Sequence, residues 1–384
     1  MEAEELKEKS ASQYKCPSCG ADMTYDPETQ SLKCEHCDSI VKININKDVR
    51  ERSFSELKDC AKWNPSEVSK YRCANCGATG VMTQGQISSL CPFCGSAVVI
   101  DKDELNSVKP NTLIPFEVDK DNAVRILLAW RKKKIFAPNA FRKAVDIETV
   151  RGIYYPIWTF DSIVTAVYDG ELGRTKTRTV TRNGKTTTET YIDWFSVSGA
   201  MKNIFDDVFV TGSDKVNDAT LNNLGSYPQN KYVVYSDEYL SGYFASNYSV
   251  DPMEAFNIAE QKMKNVFHNM IMSKYNASHV SRLDISLMHE GKAFKYLMIP
   301  MYITAMRYKT KLYNQYINGT FNDEKKNACV VGKSPVSPIK VFLTTLIVGA
   351  VVGLLVWLAY SQGLFTDVSF TGFEENIFGR ILLK

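Results

Sequence analysis

Histidine is scarce in this chain, and the familiar catalytic signatures are missing. Only His36, His268, His279 and His289 occur in 384 residues. None belongs to an H-E-x-x-H helix, which excludes the usual metal-hydrolase site, and no G-x-S-x-G nucleophile elbow is present. Gly184-Lys185-Thr186 and Gly332-Lys333-Ser334 look like ends of a phosphate loop. The glycine needed five residues earlier is Thr179 in one case and Asn327 in the other, so both fail. No glycine-rich dinucleotide loop follows a strand. Charge of neither sign dominates, with 46 Lys+Arg against 43 Asp+Glu, which argues against a dedicated nucleic-acid binder. The first dozen residues, Met1 to Ser12, lack the apolar stretch of a secretory signal. The sequence therefore predicts neither a known enzyme class nor a secreted protein.

What is present is a repeated cysteine spacing. Cys16-Pro17-Ser18-Cys19 is followed after 14 residues by Cys34-Glu35-His36-Cys37, and Cys73-Ala74-Asn75-Cys76 after 14 residues by Cys91-Pro92-Phe93-Cys94. Each set supplies four thiolates, and a tetrahedral metal needs four. A C-x2-C pair bends the backbone into a knuckle, and two facing knuckles complete the tetrahedron. Gly20, Gly77 and Gly95 follow three of the knuckles, where a positive φ is often needed. Asp38 takes the fourth place, and Asp tolerates that region. The expectation is two structural zinc ribbons with two Zn2+ ions and no open coordination position. Four thiolates also suit iron, and spacing alone does not separate the two metals. Cys60 and Cys329 read as ordinary half-buried thiols, and His36 as a bystander.

Val341 to Tyr360 is a 20-residue run without a charge, long enough at about 1.5 Å per residue to cross a bilayer core of about 30 Å. Lys325, Lys326, Lys333 and Lys340 precede it, and only Arg380 and Lys384 follow. The positive-inside rule then places the preceding residues in the cytoplasm, in agreement with reduced cysteines. Gly349 and Gly353 form a G-x-x-x-G through which another helix could approach, as in a homo-oligomer.

Between ribbons and span the chain reads as mixed α and β. Asp119–Lys134 has helical spacing, and so does a helix opened by Asp251-Pro252, with Met263, Val266, Phe267 and Met270 on one face. Tyr154–Trp158 and Leu297–Tyr302 are apolar strands punctuated by Pro156 and Pro300, which suggests an internal duplication. Asn183-Gly184 and Asn318-Gly319 predict hairpin turns. Before the first of these, Arg174, Lys176, Arg178 and Arg182 alternate with threonines, so one strand face is cationic. That face reads as a solvated, aggregation-resistant hairpin or as a contact for lipid headgroups or nucleic acid.

The predicted fold class is α+β multidomain: two N-terminal four-cysteine zinc ribbons, a mixed α/β cytoplasmic domain with a suspected duplication, and one C-terminal transmembrane helix. The boundaries are ribbon 1 at 13–45, a linker with a short helix at 46–69, ribbon 2 at 70–101, the α+β domain at 110–335, the span at 341–360 and a short extracytoplasmic or interfacial tail at 361–384. This order resembles a family of bacterial membrane proteins described as TFIIB-type zinc-ribbon-containing proteins. The matching pieces are Cys16–Cys37, Cys73–Cys94, Ile114-Pro115-Phe116, Gly152–Trp158, Tyr239-Leu240-Ser241-Gly242-Tyr243 and the C-terminal span. The resemblance implies an adaptor at the bacterial inner membrane that holds protein partners of the phage-shock-protein-A-like or SPFH type during membrane stress. The other reading is a membrane-tethered nucleic-acid binder.

Overall fold

A computed structural model describes residues 14–60, 62, 68–83, 91–96, 98–101, 108–143, 147–182, 184–308, 311–322 and 327–362. Asn183, Lys325, Lys326 and the tail beyond Gln362 lie outside the described residues. The chain is α+β, as expected, and divides into two compact units: Met1–Trp130 with Val145–Lys333, and Arg131–Ala144 with Ser334–Lys384.

In the first unit β1 (Met23–Asp26), β2 (Ser31–Cys34) and β3 (Ile40–Lys42) form a small antiparallel sheet. β4 (Arg52–Ser53) and one 3-10 turn, Phe54–Asp59, occupy the stretch read as a linker. β5 (Val68–Cys73), β6 (Thr79–Thr83), β7 (Val98–Asp101) and β8 (Thr112–Leu113) follow, then helix α1 (Lys120–Lys132). The short α2 (Asn139–Lys143) belongs to the other unit. β9 (Arg151–Arg182) and β10 (Lys185–Thr211) make a long hairpin. After them come α3 (Asp218–Leu224), β11 (Val233–Val234), β12 (Phe244–Ser246), α4 (Pro252–Lys274), β13 (His279–Tyr308), β14 (Lys311–Asn318) and β15 (Val330–Gly332). Apart from β1–β3, these strands form one twelve-stranded sheet. Its main path runs β11-β8-β13-β9-β12-β6-β5-β7, so the second cysteine set is built into the sheet of the α+β region.

Residue alternation explains why Tyr154–Trp158 is apolar without a break. Ile153, Tyr155 and Ile157 pack in one core while Tyr154, Trp158 and Phe160 pack in another, on the opposite face. Both faces of β9 are covered here, as continuous apolar strands require. Farther along, Val164, Ala166, Tyr168 and Leu172 stay buried, but Ile163 and Val167 are exposed. Among the described residues, one side is then covered and the other is open.

α4 begins as its sequence signals: the Asp251 carboxylate accepts from Met253 N–H at 2.9 Å, with Pro252 in the first turn. Its buried stripe is Ala255, Phe256, Ala259, Met263, Phe267 and Ile271. Val266, expected on that stripe, is exposed instead; it lies about 60° from Met263 and about 100° from Phe267 around the helix, at the margin of the stripe. Asn318-Gly319 is not a hairpin turn either. Asn318 ends β14 opposite Met301, and the chain continues to β15. Gly319 is needed for close approach: a Cβ there would lie 2.7 Å from both Phe116 and Pro300.

Two regions of the first unit share one set of contacts. Gly319 N–H donates to Pro300 O at 3.0 Å, and Gly319 O accepts from Glu117 and Val118 N–H at 2.8 and 2.9 Å. Gly212 N–H donates to Pro156 O at 3.0 Å, and Gly212 O accepts from Ser249 and Val250 N–H at 2.8 and 3.0 Å. Tyr302 OH donates to Val118 O at 2.8 Å, and Trp158 Nε1–H to Val250 O at 3.0 Å. β8 runs parallel to β13, and β12 parallel to β9.

In the second unit α5 (Pro338–Ser361) is the one helix among the described residues long and apolar enough to cross a membrane. Its apolar side chains are exposed all round.

Candidate metal centres

Four knuckles repeat one hydrogen-bond pattern. Gly20, Asp38, Gly77 and Gly95 each donate N–H to the carbonyl of the first cysteine of their pair, Cys16, Cys34, Cys73 and Cys91, at 2.9 Å. Those cysteines in turn donate N–H to Ala21, Ser39, Ala78 and Ser96 carbonyls at 2.7 to 2.9 Å. The turn needs a left-handed residue, and the four positions have φ of +75°, +58°, +69° and +73°. Sequence reasoning placed that requirement correctly, including Asp38.

The knuckles bring all eight predicted ligands into two clusters. Cys16, Cys19, Cys34 and Cys37 have all four sulfurs within 4.8 Å of one another, and so do Cys73, Cys76, Cys91 and Cys94. The shorter sulfur pairs are Cys16–Cys37 at 3.4 Å, Cys19–Cys34 at 3.6 Å, Cys73–Cys94 at 3.5 Å and Cys76–Cys91 at 3.6 Å. A tetrahedron with metal–sulfur bonds of about 2.3 Å has edges of about 3.8 Å. A disulfide would need about 2.05 Å, and all ten cysteines are free. The donor set therefore fits two structural metal ions.

Thiol ionisation agrees. Burial pushes Cys16 up, but the amides of Cys19 and Ser18 outweigh it and hold the thiol at about 6. Cys94 also stands at about 6, burial being outweighed by Ser96 and Asn75. In the same clusters Cys19 stands at about 12, where neighbouring sulfurs and burial override the Ala21 amide, and burial pushes Cys76 to about 11. Four converging sulfurs resist full ionisation without a counter-charge, which a divalent cation supplies. His36 is exposed and belongs to neither cluster, and Cys60 and Cys329 are half-buried.

The first ribbon is docked. Tyr25 OH donates to Phe116 O at 3.0 Å, Tyr25 N–H to Ser241 O at 3.0 Å, and Ser241 Oγ–H to Met23 O at 2.7 Å. The second ribbon continues through β6 into β12 and so to β9.

The cationic hairpin is offset in part by two carboxylates on the returning strand. Lys176 pairs with Asp193 at 2.6 Å, and Glu189 sits 3.1 Å from Arg178 and 3.9 Å from Arg182. Arg174 donates to Tyr275 O at 2.6 Å and covers the Phe195 ring.

A third cluster escaped sequence reasoning. Lys295, 3% exposed, places its ammonium 2.9 Å from Glu51, 3.3 Å from Asp161 and 2.9 Å from Asp207. The Asp207 carboxylate also accepts from Gln229 at 2.8 Å and from Tyr232 at 3.3 Å. Glu51, Asp161 and Asp206 also stand close enough together to hold a cation. The lysine supplies positive charge here, and the network joins β9, β10 and β13 to the stretch before β4. The signal was available: Asp161 directly follows the largely apolar stretch Tyr154–Phe160, and Lys295 directly precedes the apolar stretch Tyr296–Tyr302.

Compared with known proteins, the chain is 27% identical over 335 residues to an uncharacterized protein, YdjG, of Bacillus subtilis, covering 85% of this chain and 91% of that protein. No family model matches. No solved structure matches.

Proposed function

We propose that the chain is a membrane-anchored adaptor, with α5 crossing the bilayer, the first unit on the cytoplasmic side, a zinc ion in each ribbon, and a protein partner on the open face of the sheet. The observation that carries this reading is that open face. Ile163 pairs with Ile204 on β10, and Thr165 with Met288 on β13, so Ile163, Val167, Ile204 and Met288 project from the same side of three adjacent strands. Ile204 is 71% exposed and Met288 55%. Apolar side chains gathered on one uncovered face mark an interaction surface rather than scattered exposure. The length and apolar character of α5 support the anchor, the lysines before it support a cytoplasmic first unit, and ten free thiols suit a reducing compartment.

The matched contacts about Gly212 and Gly319 support a second reading at the level of the fold: β8-α1-β9-β10 and β12-α4-β13-β14 are two copies of one unit. The nucleic-acid alternative is the weaker reading, because Asp193 and Glu189 offset part of the positive charge of the β9–β10 tip.

The test is purification of the full chain from membranes in mild detergent, with partners of the phage-shock-protein-A-like or SPFH type sought first, as the family resemblance suggests. A stoichiometric partner lost on Ile204→Lys with Met288→Lys supports the adaptor. A partner retained by that variant, or nuclease-sensitive nucleic acid bound in its place, overturns it.

A further inference from the structure

Within the second unit, Arg131–Ala144 is fastened to the start of α5. Ser337 N–H donates to Phe136 O at 2.8 Å. Lys340, the last charged residue before the apolar run, donates to Ala137 O at 2.7 Å and to Asn139 Oδ1 at 2.8 Å. The Arg131 guanidinium is buried over the Phe141 ring at 4.7 Å, and Arg142 donates to Lys132 O at 2.8 Å. Three cations are thus spent on holding this segment together and to α5.

What remains on its outside is of two kinds. Lys132, Lys133 and Lys143 are exposed. So are Ile135 at 61% and Phe136, with Ile339 at 71% on the helix side. From 131 to 144 and from 334 to 362 there are seven Lys or Arg residues and no Asp or Glu. Water disfavours such exposed apolar groups, but the edge of an anionic bilayer suits both kinds. Apolar side chains enter the boundary between headgroups and acyl chains, and lysines meet phosphates. The region also marks where the two matched halves of the first unit diverge. α4 runs for 23 residues, whereas α1 stops after 13 and the chain leaves into this segment.

We propose that Arg131–Ala144 is an interfacial collar that selects anionic phospholipid headgroups in the leaflet that α5 enters. This rests on α5 being a membrane span. Ile135 and Phe136 wedge into the interface beside the helix, and Lys132, Lys133 and Lys143 engage the headgroup phosphates.

The experiment reconstitutes the full chain in an equimolar mixture of phosphatidylglycerol and phosphatidylcholine, then identifies the lipid retained through a detergent wash. Each cation near an anionic surface is worth about 1 kcal/mol, so removing three corresponds to a change of up to about 100-fold. The wild-type chain is expected to retain phosphatidylglycerol preferentially. The variant Lys132→Gln, Lys133→Gln, Lys143→Gln is expected to lose at least about tenfold of that preference. An unchanged ratio in the variant, or no preference in the wild type, overturns the collar. A photo-crosslinking phenylalanine analogue at position 136 gives a second readout: adducts to phospholipid support the collar, and adducts to protein overturn it. Alkaline carbonate extraction separates the two ideas. A chain that is extracted overturns the span itself, whereas a retained chain without lipid preference overturns the collar alone.

Discussion

The ammonium of Lys295 lies 2.9 Å from Asp207 Oδ1, and Asp207 holds a φ of +52° at a bulge in β10. Burial alone would lower the lysine's pKa, but its bonds to Asp207 and Glu51 outweigh burial and raise it. Removing only the cation leaves buried carboxylates facing one another. Lys295→Met is therefore expected to destabilise the first unit by about 3–5 kcal/mol, measured by denaturant unfolding. Adding Asp161→Asn and Asp207→Asn should recover part of that loss. A Lys295→Met protein as stable as the wild type would show that the network is not a stabilising pair.

Asp161 gives a pH dependence. Burial raises its carboxyl from 3.8 to about 6, against the pull of the Asp207 amide and Lys295. The folded state then binds more protons than the unfolded state between pH about 4 and about 6. Its contribution favours folding at the acid end and is lost as pH rises through about 6. Relative to Asp161→Asn, which cannot titrate, the wild-type melting temperature should fall across that window. Comparing the two chains cancels the acid loss of metal that they share. Parallel curves would refute the assignment.

The two metal centres should differ in consequence. Either Cys16→Ser or Cys73→Ser should lower bound metal from two ions per chain to one, read by elemental mass spectrometry. Structural zinc contributes on the order of 10–16 kcal/mol of binding in isolated peptides, so each ribbon depends on its ion. Loss at Cys16 should open β1–β3 and release their contacts to Phe116 and Ser241. Loss at Cys73 should also raise hydrogen exchange in β12 and the start of β9, because β6 is bonded into that sheet.

Gly212→Ala and Gly319→Ala should each cost about 1–3 kcal/mol, the usual penalty for overpacking. An added Cβ would lie 2.8 Å from Pro156 O at the first site and 2.7 Å from Phe116 and Pro300 at the second. Gly184→Ala, at the β9–β10 tip, has open space and meets only the strain of a φ of +73°. Thermal unfolding of the three variants distinguishes close approach from backbone strain.

Much of the candidate site was legible because its determinants are local. Cysteine spacing, the residue after each knuckle and the Asp251 cap act over a few residues, and the sequence carries them openly. The long apolar run of α5 is equally local. The cationic face of Arg174–Arg182 was legible, but its partial offset was not, since Asp193 and Glu189 lie on the returning strand. Asn318-Gly319 misled because a glycine serves either a turn or a close contact, and the two look alike in sequence.

By itself, the sequence determined two tetrathiolate clusters, an apolar helix long enough for a membrane and the period of each strand, all set by short-range geometry and side-chain chemistry. Only the tertiary structure decided that the second ribbon shares a sheet with β9 and β12, that Lys295 gathers Glu51, Asp161 and Asp207, that one sheet face stays open around Ile204, and that Lys340 clamps Arg131–Ala144 to α5. Each of these joins residues far apart in the chain, and such partners are chosen by strand register and packing rather than by local spacing.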